Sequence, residues 1–200
     1  MHKSTADISQ MPKGLAALIG RAEIAGKSPP PVDKWHPPYC GDLDIHIAGN
    51  GAWSYMGSPI GREALVRLFA SVLRKDEDGR HYLVTPVERI GITVDDAPFL
   101  AVELHAEGDT DTRLITLRTN VGDVVVVDSE HPLRFEVDPI NHGLKPYVLV
   151  RGRLEALLAR PLLYELAELF EEAETEDGRQ SGIWSGGCFF ALPQDFLSHE

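Results

Sequence analysis

Four residues of metal-ligand type alternate along one short stretch: Cys40, Asp42, Asp44 and His46. Thiolate, carboxylate and imidazole all bind metal ions, and alternate residues of an extended strand project from one face. Same-face neighbours stand roughly 7 Å apart, twice the rise per residue, so all four cannot meet one ion. Two of them with a ligand from elsewhere would make a metal-dependent hydrolase; otherwise they are the wet face of a hairpin. Asp96, Ser129 and His131 have the residue types of an acyl-transfer triad. No Gly-Xaa-Ser-Xaa-Gly elbow, phosphate-binding loop, dinucleotide fingerprint or His-Glu-Xaa-Xaa-His pair accompanies them. The expectation is a protein without catalytic residues, metal or cofactor.

A second set of polar residues gathers where strand-like runs begin and end: Thr85, Glu88 and Arg89, then Arg118 and Asn120, then His131 and Arg134, and Arg151. Guanidinium forks bind carboxylates and phosphates through paired hydrogen bonds. If these arginines converge without matching carboxylates, they form a seat for a small anionic, nucleotide-like ligand. If each pairs with its own Asp or Glu, they are structural.

The elements that would position them follow from periodicity. Leu43, Ile45 and Ile47 alternate with Asp42, Asp44 and His46, as in a half-buried strand, and Asn50-Gly51 turns it back towards Trp53 and Tyr55. Ser58-Pro59 has the chemistry of a helix start, followed by an apolar face of Leu65, Leu68, Phe69 and Val72. Asp78-Gly79 ends that segment, and residues 82–137 are rich in strand-like runs separated by turns. Leu154–Leu158 looks helical alone, but Pro161 is not tolerated in a helix interior. The spacing therefore predicts strand up to Leu158, helix over 161–173, and a last strand over Ile183–Leu192. At the N-terminus, Leu15, Leu18, Ile19 and Ala22 predict an amphipathic helix rather than a signal peptide, and Pro29-Pro30-Pro31 an extended connector.

Two segments share an order of signals: Pro59, Leu68-Phe69, Glu77-Asp78-Gly79-Arg80 in one, and Pro161, Leu169-Phe170, Glu176-Asp177-Gly178-Arg179 in the other. This predicts a duplicated α+β fold of two tandem strand–helix–strand units with antiparallel sheets, residues 1–96 and 97–200. In that reading 43–94 and 133–192 superpose, and the ligand sits between the halves.

The totals narrow the partners. Thirty-one acidic against nineteen basic residues give a net charge of −12, which disfavours extended nucleic acid and anionic membranes. No apolar run approaches the roughly 20 residues needed to span a bilayer. Two distant cysteines make no disulfide framework, and a cytoplasmic location is expected.

Several short motifs carry a resemblance: Tyr39-Cys40-Gly41-Asp42, Gly57-Ser58-Pro59-Ile60, Tyr82 to Glu88, Asp96-Ala97-Pro98-Phe99, His131-Pro132-Leu133-Arg134, and Pro146 to Arg151 with Leu154 to Leu157. Over about residues 35–170, the chain resembles the bacterial family catalogued as domain of unknown function 1285. The resemblance implies a duplicated α+β core, a C-terminal half superficially like a pleckstrin-homology fold, and a nucleotide-like ligand in a signalling role. A strand after the second helix departs from the pleckstrin pattern, in which the helix comes last. The expectation is a ligand-binding or regulatory protein; the alternatives are a protein–protein adaptor and a metal-dependent hydrolase.

Overall fold

The computed structural model describes residues 30–175 and 178–197. The predicted N-terminal helix lies outside the described residues, as do Glu176 and Asp177 of the second proposed repeat signal. The chain divides into two compact units. One runs to Pro98 and takes in Gly152–Leu154; the other comprises Phe99–Arg151 and the chain from Glu155.

The first unit is one six-stranded sheet with a helix on it. Strands β1 (Tyr39–Ile47), β2 (Trp53–Tyr55) and β3 (Ser58–Pro59) form a meander; helix α1 (Glu63–Ser71) follows; then β4 (Leu73–Lys75), β5 (His81–Val84) and β6 (Arg89–Val94) form a second meander. The sheet order is β3-β2-β1-β6-β5-β4. Its centre is the parallel pair β1–β6, interrupted by register shifts on either side of Asp42. The predicted alternation of β1 holds, with Ile45 and Ile47 buried and Asp42 and Asp44 exposed. Ile45, Ile47, Trp53, Leu83 and Leu73 join Leu65 and Phe69 of α1 in the core, where Trp53 and Phe69 stack at 6.3 Å.

The second unit has two sheets. β7 (Phe99–Glu107), β8 (Leu114–Thr119) and β9 (Val124–Val126) form one meander, and β10 (Leu133–Val137), β11 (Leu144–Arg151) and β12 (Leu154–Leu158) another. They join through the parallel pair β7–β12 in the order β10-β11-β12-β7-β8-β9. Helix α2 (Arg160–Ala167) follows, then a three-stranded antiparallel sheet of β13 (Glu171–Thr175), β14 (Gly178–Ser185) and β15 (Cys188–Ala191).

This corrects the expected fold class. The protein is mostly β, with 49% of the described residues in strand, not a balanced α+β fold of strand–helix–strand units. Nor are the sheets purely antiparallel. Residues 43–94 run through one sheet, whereas 133–192 span half of one sheet, a helix and a separate sheet, so the proposed superposition fails. The pleckstrin-like expectation falls with it: three strands follow α2, and a parallel pair lies at the centre of the sheet before it. The helix bounds differ for local reasons. Ser58 and Pro59 pair with Tyr55 and Ser54 as an edge strand, a position that tolerates proline, and α1 starts only at Glu63 with no side-chain cap on its first turn. Helix α2 stops at Ala167, and Ala173 lies in β13. Leu154–Leu158 is strand, as Pro161 requires.

Candidate functional site

One face of the first sheet concentrates cations and aromatic rings. The register aligns Arg74 of β4, Tyr82 of β5, Gly91 of β6 and Asp42 of β1 in one row across four strands. In the neighbouring row, Arg89 of β6 lies opposite Tyr39 of β1. Alternation puts the side chains of Arg74, Tyr82, Arg89 and Asp42 on the same face, and the register shift between Tyr39 and Asp42 brings the Tyr39 ring to that face beside Tyr82. Gly91 leaves room for the pair that crosses it: a Cβ there would lie 1.9 Å from Asp42 Oδ1 and 2.9 Å from an Arg80 nitrogen. Arg80 donates to Asp42 at 2.5 Å over that gap.

Two guanidinium groups flank the tyrosines. Arg89 lies 4.8 Å from the Tyr82 ring centroid and 5.9 Å from that of Tyr39, and Arg80 lies 5.4 Å and 5.9 Å from the same rings. Such contacts are worth about 0.5–2 kcal/mol, rising as water is excluded. The rings themselves meet edge to face at 6.3 Å. Tyr82 donates to Asp78 at 2.5 Å, and that bond both raises the Tyr82 pKa and, first among its causes, lowers that of Asp78. The Arg80 pKa is raised by its hydrogen bond with Tyr39 and then by Asp42.

Asp76, just past β4, organises the cluster. Its Oδ1 accepts from Arg74 Nε at 2.5 Å, and its Oδ2 from Arg74 at 3.2 Å and Arg89 at 2.8 Å. Burial works to raise its pKa, but the hydrogen bonds and charges of Arg74 and Arg89 prevail and hold it below the ordinary value. The two arginines differ in what they have left. Arg74 also donates to the carbonyls of Val32 and Trp35 at 2.9 and 2.8 Å, so it fastens the preceding segment to the sheet. Arg89 keeps a buried Nε with no hydrogen-bond partner. Beside it is a cavity of about 860 Å³ lined by Arg74, Lys75, Asp76, Glu77, Asp78, Arg89, Asp33, His36, Gly152 and Arg153, all of the first unit.

The predicted site residues divide between the units. In the first, Thr85 and Glu88 are buried, and the Thr85 hydroxyl accepts from the Glu88 amide at 3.1 Å. They shape the β5–β6 turn that leads into Arg89. In the second, Arg118 pairs with Glu103, and Arg134 pairs with Glu155 and Glu136. Arg151 pairs with Asp123 at 2.5 Å and lies 4.9 Å from the Phe99 ring centroid. Asn120 accepts from the Leu100 amide at 3.1 Å, and His131 meets the Leu149 carbonyl at 3.0 Å. With Arg89 held by Asp76, every one of the four arginines has a carboxylate in its own unit. The electrostatic argument for a shared groove needed arginines without such partners, and it does not hold.

Sequence reasoning missed Tyr39, Arg74, Asp76, Arg80 and Tyr82 as site residues. Their signal was the polar-then-aromatic alternation of Arg80 and Tyr82 beside an Asp-Gly turn, which was assigned to a helix end. The Cys40 to His46 face is otherwise engaged: Asp42 with Arg80, His46 with Asp95 at 2.7 Å, and the Cys40 thiol with the Pro38 carbonyl at 3.4 Å. Among the described residues no three His, Cys, Asp or Glu side chains are grouped to hold a metal ion, and no helix is long and apolar enough to cross a membrane.

The chain resembles a crystal structure of a DUF1285 family protein from Silicibacter pomeroyi DSS-3, with 45% identity, a TM-score of 0.81, and coverage of 91% of this chain and 98% of that one. A DUF1285 family protein from Shewanella baltica OS155 matches at 23% identity and a TM-score of 0.49, over 63% of this chain and 91% of that one. No curated protein matches. Residues 30–97 match the N-terminal domain of DUF1285, a domain of unknown function, and residues 98–192 match the C-terminal domain of the same protein family. The chain belongs to the DUF1285 family.

Proposed function

We propose that this is a ligand-binding or regulatory protein rather than an enzyme, and that its first unit holds a small anion with a planar, nucleotide-like ring. The observation that carries this reading is Arg89, held by Asp76 beside a cavity of about 860 Å³ with its Nε unpartnered. A buried donor without a partner carries a penalty of about 1–3 kcal/mol, and the side chain as a whole stays 31% exposed, so an anion could meet its outer nitrogens. Tyr39, 45% exposed, offers a face on which a planar ring stacks. The earlier candidates Thr85 and Glu88 fit as the turn that sets Arg89, not as contacts. Both cysteines are free, which supports a reducing, cytoplasmic setting.

The test is a thermal-shift screen of the full chain against nucleotides and related metabolites. A ligand at 100 times its dissociation constant stabilises by about 2.7 kcal/mol. For a hit, Arg89→Ala is expected to weaken binding by more than about 1.5 kcal/mol, the low end for a charge-assisted hydrogen bond, with Arg89→Lys intermediate. A folded Arg89→Ala protein that binds as tightly as wild type would refute this placement.

A further inference from the structure

We propose that the second unit carries a separate binding site for a small apolar monocarboxylate, in the cavity where α2, the end of β12 and the β10–β11 loop meet. The cavity measures about 550 Å³, within the range of small-molecule sites. Leu144, Pro146, Leu157 and Leu163 form one apolar side of it, and Asp138, Asn141, Lys145 and Arg160 its polar side. At its side Tyr164 presents a ring that is 63% exposed, a large apolar surface with no described cover. These features select an apolar body.

Charge selects the rest of the ligand. Arg160 lines the cavity at the start of α2 and forms no ion pair with another described residue. That sets it apart from Arg118, Arg134 and Arg151 of the same unit, each of which has a carboxylate. The acid that lines the cavity, Asp138, is turned into its own loop, where it accepts from the amides of Ile140 at 2.8 Å and Asn141 at 3.2 Å. Lys145 also lines the cavity, with its ammonium 5.6 Å from the Tyr147 ring centroid. Arg160 is the one guanidinium fork among the lining residues, and one fork matches one carboxylate. A nucleotide polyphosphate would bring more charge than this cavity answers.

Octanoate is the probe, titrated calorimetrically into the full chain, with octanol and octylamine as neutral and cationic counterparts. Octanoate is expected to bind at least tenfold more tightly than either. Arg160→Gln should reduce its affinity at least tenfold, to the level of octanol. Leu163→Trp, which fills the cavity from a half-buried position, should abolish binding while the far-UV circular dichroism spectrum is retained. Arg89→Ala, in the other unit, should leave octanoate binding unchanged. The proposal is overturned if octanol binds as well as octanoate, or if Arg160→Gln binds octanoate like wild type.

Discussion

Asp76→Asn separates the structural duty of the Arg74–Asp76–Arg89 cluster from its proposed ligand chemistry, because the two respond with opposite sign. The substitution keeps the shape of the side chain and removes its charge. Two guanidinium groups, 14% and 31% exposed, then face a neutral amide in place of a carboxylate that is itself 18% exposed. Deleting one partner of a fully buried ion pair costs about 3–5 kcal/mol, and of an exposed pair about 0–1 kcal/mol. Discounted for partial solvent access, Asp76→Asn should destabilise the protein by about 2 kcal/mol. Loosening Arg74 also frees the Val32 and Trp35 carbonyls it holds, so the loss should appear in Trp35 fluorescence during urea unfolding. Any anion bound at Arg89 should bind more tightly to the variant, because the internal carboxylate no longer opposes it. A midpoint that gives less than about 0.5 kcal/mol of destabilisation, within the scatter of ordinary surface substitutions, would mean that the guanidinium groups are adequately hydrated and the cluster is not a strained seat.

Other outcomes follow from single residues. Gly182→Ala should destabilise the protein by more than about 2 kcal/mol in urea unfolding, since its Cβ would lie 2.4 Å from the Phe190 carbonyl oxygen and backbone cannot step aside. Gly91→Ala, whose Cβ meets only the ends of the Asp42 and Arg80 side chains, should leave the unfolding midpoint near that of wild type. Desolvation first, and the Lys75 charge second, lower the His81 pKa to about 4, so the unfolded chain takes up a proton near pH 6.5 that the folded one refuses. Stability should therefore be full above about pH 6.5 and fall as pH drops towards 4, by at most roughly 3 kcal/mol from this group; a His81→Gln protein that keeps the same slope would show the slope arises elsewhere. Arg118→Ala, at an exposed pair, should not shift the melting temperature measurably.

The parts legible in the sequence are those governed by neighbours along the chain. The alternation of Leu43, Ile45 and Ile47 against Asp42, Asp44 and His46 gave β1 its buried face, and Pro161 kept Leu154–Leu158 out of a helix. What was misread has competing local chemistry: Ser58-Pro59 suits a helix start as well as an edge strand, and β4 follows α1 after only Val72, so Leu73 extends the helical apolar pattern. The parallel pairs β1–β6 and β7–β12 have no local signature at all. Their partners lie about fifty residues apart, and only closure of the sheet brings them together. The candidate site has the same character. Tyr39, Arg74, Tyr82 and Arg89 come from four strands, so their convergence depends on strand order, which parity cannot supply.

Strand order also shows that the two units share one scaffold while placing different charges on it. Read outward from the central parallel pair, both six-stranded sheets have the same plan: a meander on one side, and on the other a second meander that returns from the edge. Arg74 of β4 stands opposite Tyr82 of β5, and at the same place in the second sheet Arg134 of β10 stands opposite Tyr147 of β11. Both tyrosines are 2% exposed. In the second unit Arg134 lies 4.1 Å from the Tyr147 centroid and takes two carboxylates, Glu155 and Glu136; its pKa is raised, by the Glu155 hydrogen bond above all. That position is closed. In the first unit one carboxylate, Asp76, is shared between Arg74 and Arg89 of β6, and Arg89 keeps a buried Nε without a partner. The difference lies in the balance of acids and cations around the matching Arg–Tyr pairs, not in the fold, and function is carried by sites placed on folds rather than by folds themselves. Introducing a second acid beside Arg89 should therefore remove the proposed ligand binding from the first unit without altering its sheet.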